Sequence, residues 1–158
     1  MSEEKMYIAI DIGGTQLRGA LYPAEGIEPV KKKIIATHVG DEKPEDRLVD
    51  LIGELWPEKG SVQRVGIAVP GPVNPKTGLV YKASNVRGWI NLPLGEMVEK
   101  RHKVAAILGN DANLAALGEW KYGAGVGHHD LIYLTISTGL GGGIIIDDRL
   151  LVGSTGIA

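Results

Sequence analysis

Met6-Tyr7-Ile8-Ala9-Ile10-Asp11-Ile12-Gly13-Gly14-Thr15-Gln16-Leu17-Arg18-Gly19-Ala20-Leu21-Tyr22 is the stretch on which the fold turns. Met6, Ile8, Ile10 and Ile12 alternate with other residues, which is the period of a strand buried on one face. Gly13-Gly14 makes a turn, and residues 17–22 resume an alternating run, so the segment predicts a β-hairpin. The turn joins a carboxylate, two glycines and a hydroxyl: Asp11, Gly13, Gly14 and Thr15. Backbone without side chains can approach phosphate oxygens closely, with N–H groups and Thr15 Oγ1 donating and Asp11 holding a hydrated cation. The same residues also suit an ordinary Gly-Gly hairpin.

Outward from this hairpin, residues 30–39 predict a third strand, with Lys31, Lys32 and Lys33 marking a solvated edge. Pro44 opens a helix whose Leu48, Leu51, Ile52, Leu55 and Trp56 form one apolar stripe, stopped by Pro57 and Gly60. A short apolar strand over 62–69 runs into Pro70-Gly71-Pro72. The stretch from there to Pro93 reads as irregular, with turn signals at Asn74-Pro75 and Thr77-Gly78. Leu94, Met97 and Val98 predict a short helix, and residues 104–108 a buried strand. Asp111 then stands where an N-cap belongs, before a helix over 112–122 with Leu114 and Leu117 on one face. After a glycine-rich link, residues 131–136, a glycine turn over 139–143 and residues 144–146 predict a second hairpin. Strands alternating with helices argue an α/β fold. The two glycine hairpins also suggest a weak internal duplication.

Composition narrows the function classes. In 158 residues, 17 basic against 19 acidic side chains supply no broad positive field, so neither nucleic acid nor an anionic membrane is the expected partner. Cys 0 removes disulfides, thiolate zinc sites and a cysteine nucleophile from this chain. His38, His102, His128 and His129 lack the i, i+4 spacing of a helical metal pair. The longest uncharged run, 131–146, is broken by Thr, Ser and Gly and is shorter than the ~20 residues of a spanning helix. The N-terminus is acidic, unlike a secretory signal, so the cytoplasm is the expected compartment.

Glycine is in excess at 23 residues, about twice the usual ~7%. The densest cluster, Ser137-Thr138-Gly139-Leu140-Gly141-Gly142-Gly143, costs backbone entropy on folding and so needs a reason. Close approach to a ligand phosphate is one, a bulged hairpin another. The cluster lacks the third glycine of a dinucleotide fingerprint and the Lys-Ser/Thr of a P-loop. Asn110-Asp111 ends a strand and starts a helix, where open α/β sheets present functional side chains and where Asx residues are also ordinary caps. Phosphoryl transfer asks for positioning and charge stabilisation, with a base that accepts a proton late, so a carboxylate at that position is compatible with it.

Taken in order, Asp11-x-Gly13-Gly14-Thr15, Val69-Pro70-Gly71-Pro72-Val73, Ser84-Asn85 with Trp89, Asn110-Asp111-Ala112-Asn113 and 137–143 resemble the ROK family across essentially the whole chain. That family comprises bacterial glucokinase-type sugar kinases and sugar-responsive repressors with an actin-like ATPase (ribonuclease H-like) fold. The resemblance implies a mixed sheet with flanking helices forming a small N-terminal lobe over 1–122, with 123–158 a link and the first hairpin of a larger lobe. It implies that Asp11, Gly13, Gly14 and Thr15 are the first phosphate loop, with Asp11 serving Mg²⁺ through water, and that Thr138 and Gly139 belong to the second. Asp111 resembles the general base on the sugar hydroxyl and Asn110 a sugar ligand. Gly71, Ser84 and Asn85 match the small-lobe side of the sugar pocket, and Trp89 is expected to pack under that loop.

The run over 153–158 matches the family segment that leads into a Gly-Glu-x-Gly-His motif. The expectation is therefore an N-terminal portion of a kinase about twice as long, with further sugar ligands, the adenosine pocket and a structural zinc site lying later. Such a kinase would use ATP and Mg²⁺ to phosphorylate a hexose, foremost glucose at the 6-hydroxyl, as a cytoplasmic homodimer. The present chain alone is expected to be inactive. A polyphosphate donor and other hexoses stay open. The alternatives are a ROK-type transcriptional regulator and a non-catalytic sugar-binding actin-like module. The regulator is disfavoured because family repressors carry a winged helix before the first strand.

Overall fold

The computed structural model describes residues 4–83, 85–136 and 139–153. The opening hairpin forms as its alternation requires: β1 (Lys5–Ile12) buries Met6, Ile8, Ile10 and Ile12 and pairs antiparallel with β2 (Gln16–Pro23). β3 (Lys31–Ala36) pairs with β2 and forms one edge. It is shorter than the 30–39 expected, because beyond Ala36 the chain leaves the ladder and turns toward α1 (Pro44–Glu54). Leu48, Leu51, Ile52 and Leu55 are fully buried, as the apolar stripe predicts. β4 (Ser61–Val69) lies parallel to β1 on its other side. β8 (Ala105–Asn110) follows α2 (Leu94–His102) and adds parallel to β4, giving a five-stranded sheet in the order β3-β2-β1-β4-β8.

One face of this sheet meets α1 and α2 over the core. Gly19 is glycine because a Cβ there would stand 2.4 Å from Leu55 Cδ1. The two helices are tied together by Trp56 stacked on His102, with centroids 5.4 Å apart, and by His102 Nε2 at 2.9 Å from Val49 O.

Several expectations are corrected. The supposedly irregular stretch before Pro93 carries β5 (Val73–Asn74), β6 (Leu79–Lys82) and β7 (Ile90–Leu92), an antiparallel sheet in the order β5-β6-β7. Its strands are too short to show a period. The strand placed at 104–108 is displaced to β8 and is not buried: only Leu108 is, because β8 forms the second edge of the sheet. α3 (Asp111–Tyr122) is capped by Asn110, not Asp111, with Asn110 Oδ1 accepting from Asn113 N at 3.1 Å. Its buried positions are Ala112, Asn113 and Ala116, not Leu114 and Leu117, because it faces a strand of glycines.

That strand is β10 (Leu140–Ile146), antiparallel to β9 (Leu131–Ile136) and continued by β11 (Arg149–Leu150). The glycine turn expected over 139–143 is therefore mostly strand: Gly141, Gly142 and Gly143 pair with Thr135, Leu134 and Tyr133. A Cβ on Gly143 would lie 2.6 Å from Ala116 Cβ, so small residues on both elements let the helix approach the strand. Among the described residues no helix is long and apolar enough to cross a membrane.

Candidate active site

β1, β4 and β8 run parallel, with Asp11 in register with Ala68 and Val69 with Asn110. Their carboxyl ends therefore lie along one edge, the location at which open α/β sheets bind ligands. This edge gathers most of the candidate residues. Asp11 is exposed near the end of β1, with Oδ2 3.4 Å from Arg18 Nη1, a pairing that solvent weakens. Its carboxylate suits a hydrated Mg²⁺, whose preferred octahedral shell leaves room for several waters. Among the described residues no three His, Cys, Asp or Glu side chains come together as a metal cluster.

Gly13 N–H donates to Gln16 O at 2.9 Å and closes the turn, leaving Gly14 and the exposed Thr15 at its tip. Gly13 and Gly14 have negative or extended φ, so the left-handed region is not what selects glycine here. Proximity selects it instead: a Cβ on Gly14 would stand 2.6 Å from Asn85 O, and one on Gly13 2.9 Å from Gln16 O. Asn85 thus sits directly beside the first turn, which brings two separately chosen candidates together. Its loop hangs from a buried residue. Trp89 is 1% exposed, donates from Nε1 to Glu45 Oε2 at 2.9 Å, and accepts from Ala83 N at its carbonyl, so it packs under the loop as expected.

Asn110 joins the end of β8 to the end of β4. Its Nδ2 donates to Gly71 O at 3.3 Å and to Asp111 Oδ1 at 3.1 Å, while its Oδ1 caps α3. Gly71 has φ +130, and a Cβ there would meet Lys82 O at 2.4 Å, so glycine is required on both counts. Asp111 Oδ1 also accepts from Ala112 N at 2.9 Å. One carboxylate oxygen is therefore fixed, while Oδ2 takes no partner among the described residues and the side chain is exposed.

Ser84 and Thr138 fall outside the described residues. Gly139 is exposed with open space where a Cβ would stand, so no packing contact among the described residues explains that glycine. Beside the edge, a groove of about 490 Å³ runs over the sheet face opposite α1 and is floored by Ala9, Ala20, Gly66 and Ala68, with Asp11 and Arg18 at its rim. Its apolar floor suits packing better than phosphate binding.

Sequence reasoning passed over Thr37. It is fully buried, its N–H donates to Thr15 O at 2.9 Å and its Oγ1 to Gly13 O at 2.7 Å, so it holds the turn from behind. Its only signal in the sequence is a threonine directly after an edge strand, too common to single out.

A five-stranded mixed sheet with helices over one face and candidate polar groups at the carboxyl ends of its parallel strands defines an α/β protein of the actin-like ATPase class. More narrowly, the chain belongs to the ROK family, whose model matches residues 7–158. A glucokinase of Streptomyces coelicolor is 39% identical over 157 residues, covering 96% of this chain and 47% of the relative. The crystal structure of a ROK family glucokinase from Streptomyces griseus in complex with glucose and AMPPNP superposes with a TM-score of 0.81 at 38% identity, covering 97% of this chain and 48% of that one. A ROK family transcriptional regulator, a homologue of E. coli Mlc, superposes with a TM-score of 0.84 at 26% identity, covering 96% of this chain and 39% of that one. The chain thus spans about half the length of the glucokinases it matches.

Proposed function

We propose that this chain supplies the first phosphate loop and the sugar-side base of an ATP-dependent hexose kinase, and that the full-length protein phosphorylates a hexose, foremost glucose at the 6-hydroxyl. The observation that carries the reading is Asp111: one oxygen held by Asn110 and the Ala112 amide, the other without a partner among the described residues, at the carboxyl edge of the sheet. A carboxylate fixed in this way is oriented without being neutralised. As the sugar oxygen bonds to the γ-phosphorus and the bond to the β-phosphate oxygen breaks, releasing ADP, the sugar proton passes to Asp111 Oδ2. Asn110 and the loop bearing Ser84 and Asn85, with Gly71, form the small-lobe side of the sugar pocket. Gly13, Gly14 and Thr15 face the phosphates from one side, and Thr138 and Gly139 belong to the loop on the other. Mg²⁺ bound through water at Asp11 would neutralise phosphate charge.

The glucokinase relatives support this reading, as does the neighbour solved with glucose and AMPPNP. The cytoplasm and a homodimer belong to the same proposal. A coupled assay of the full-length protein with a panel of hexoses, and with ATP or polyphosphate as donor, tests it. Turnover of glucose with ATP that is lost in Asp111→Asn supports it; a full-length protein that binds sugar yet turns none over overturns it. The similarity to the Mlc homologue keeps a regulator as the second reading, for which sugar-dependent DNA binding by the full-length protein without turnover is the distinguishing result.

A further inference from the structure

The segment over residues 31–40 is exposed or half-buried throughout except at Thr37. Of the described residues, Thr37 and Asn113 are the buried polar ones. A buried hydroxyl requires a partner, and valine would fill the same space without that requirement. The partner of Thr37 Oγ1 is the Gly13 carbonyl at 2.7 Å, while the Thr37 amide takes the Thr15 carbonyl at 2.9 Å. The carbonyls of Gly13 and Thr15 therefore both point back to one residue at the end of the edge strand β3.

Peptide planarity carries this contact to the loop's outer side. The chain has no cis peptide bonds among the described residues. In a trans peptide the N–H lies opposite the C=O. A Gly13 carbonyl turned toward Thr37 thus directs the Gly14 N–H away from Thr37, and the Thr15 carbonyl does the same for the Gln16 N–H. Gly13 N–H, by contrast, is already taken by Gln16 O. We propose that Thr37 is a positioning residue of the phosphate loop: its hydroxyl fixes the Gly13–Gly14 peptide plane so that the Gly14 amide, and not the Gly13 amide, is presented to phosphate. This rests on the kinase reading given above, but its central claim concerns which amide meets a phosphate and can be measured without turnover.

The test uses the full-length protein, wild type and with Thr37→Val and Thr37→Ser, each checked for an intact thermal transition. On adding Mg-AMPPNP to wild type, the Gly14 amide gains hydrogen-exchange protection while the Gly13 amide does not change. In kinetics, Thr37→Val raises KM for ATP about tenfold with KM for sugar within about twofold, and Thr37→Ser restores both. No response of Gly14 in the wild type overturns the proposal whether or not Thr37→Val folds. So does an unchanged KM for ATP in Thr37→Val, or a parallel rise of both KM values in Thr37→Val and Thr37→Ser. Wild-type protein that turns over no hexose removes the kinase reading, while the Gly14 response to Mg-AMPPNP, lost in Thr37→Val and kept in Thr37→Ser, still decides the role of Thr37.

Discussion

Asp111 tests the chemistry with little risk to the fold. Because Asn110 makes the cap, Asp111→Asn leaves the start of α3 in place. On the kinase reading, it is expected to lower kcat of the full-length protein by roughly 10²–10⁴ with a much smaller change in KM for sugar, the pattern of a lost general base. Steady-state kinetics beside a thermal melt check this, and near-normal kcat removes Asp111 from the mechanism. Gly14 and Thr15 separate packing from ligand contact. A side chain at Gly14 meets the Asn85 backbone, so Gly14→Val is expected to cost about 1–3 kcal/mol of stability, the range for overpacking, besides weakening nucleotide binding. Thr15 is exposed, so Thr15→Val should leave the melting temperature unchanged and weaken nucleotide binding more than sugar binding. Isothermal titration with each ligand separately decides, and equal losses for both ligands contradict the assignment.

At the scale of elements, α3 on β10 offers a matched pair of glycines. Gly143→Ala drives a Cβ to 2.6 Å from Ala116 Cβ and should destabilise by about 1–3 kcal/mol. Gly118→Ala meets nothing within 4 Å on the exposed side of the same helix and should stabilise by about 0.5–1 kcal/mol through helix propensity. Denaturant melts of the two variants must move in opposite directions. The hairpin end carries a charge pair instead. His129 Nδ1 stands 2.9 Å from Asp148 Oδ2, and the hydrogen bond and charge of Asp148, with a smaller effect from Asp130, hold its pKa above the ordinary histidine value. A histidine whose pKa is raised by folding adds stability below its unfolded value of about 6.5 and loses it as pH rises through the folded value. Amide exchange at the β10–β11 turn should therefore be better protected, relative to the intrinsic rate, at pH 5.5 than at pH 8. Asp148→Asn should abolish that difference, and persistence of the difference in the variant would rule out the pair as its cause.

For the whole molecule, the five-stranded sheet and the β9–β10–β11 sheet have different status. The five-stranded sheet closes over α1 and α2 with fully buried Ile8, Leu17, Leu51 and Ile67. The β9–β10 sheet is covered by α3 on one face and shows Ile132, Leu134, Ile136 and Leu140 on its surface, each at least 65% exposed. An apolar face of this size tends to associate. The 158-residue polypeptide by itself is therefore expected to self-associate as its concentration rises, seen by sedimentation, and to give no measurable hexose phosphorylation in a coupled assay. The second expectation rests on coverage: the chain spans about half the length of the glucokinases it matches, and holding sugar and γ-phosphate in line about 3–3.5 Å apart is work for the whole protein. Turnover near the ~10 s⁻¹ of an ordinary enzyme would refute it.

What the sequence by itself determined was whatever local patterning encodes. Period two in Met6 to Ile12 set a one-sided strand, the stripe from Leu48 to Leu55 set α1, and Gly13-Gly14 set the first turn. The order of short motifs was enough for the family, because each motif is contiguous in the chain. Only the tertiary structure decided what depends on contacts between distant segments. Strands of two to four residues carry no readable period, so the β5-β6-β7 sheet stayed hidden. The glycines of β10 look identical in sequence to a phosphate turn, and only the approach of Ala112 and Ala116 shows what they accommodate. Asn110, 39 residues from Gly71, bonds to its carbonyl because β4 and β8 are parallel neighbours. Thr37 reaches Gly13 because β3 ends beside the turn, and a hydroxyl's partner is set by which backbone lies within 3 Å of it in space, a distance that no local pattern records.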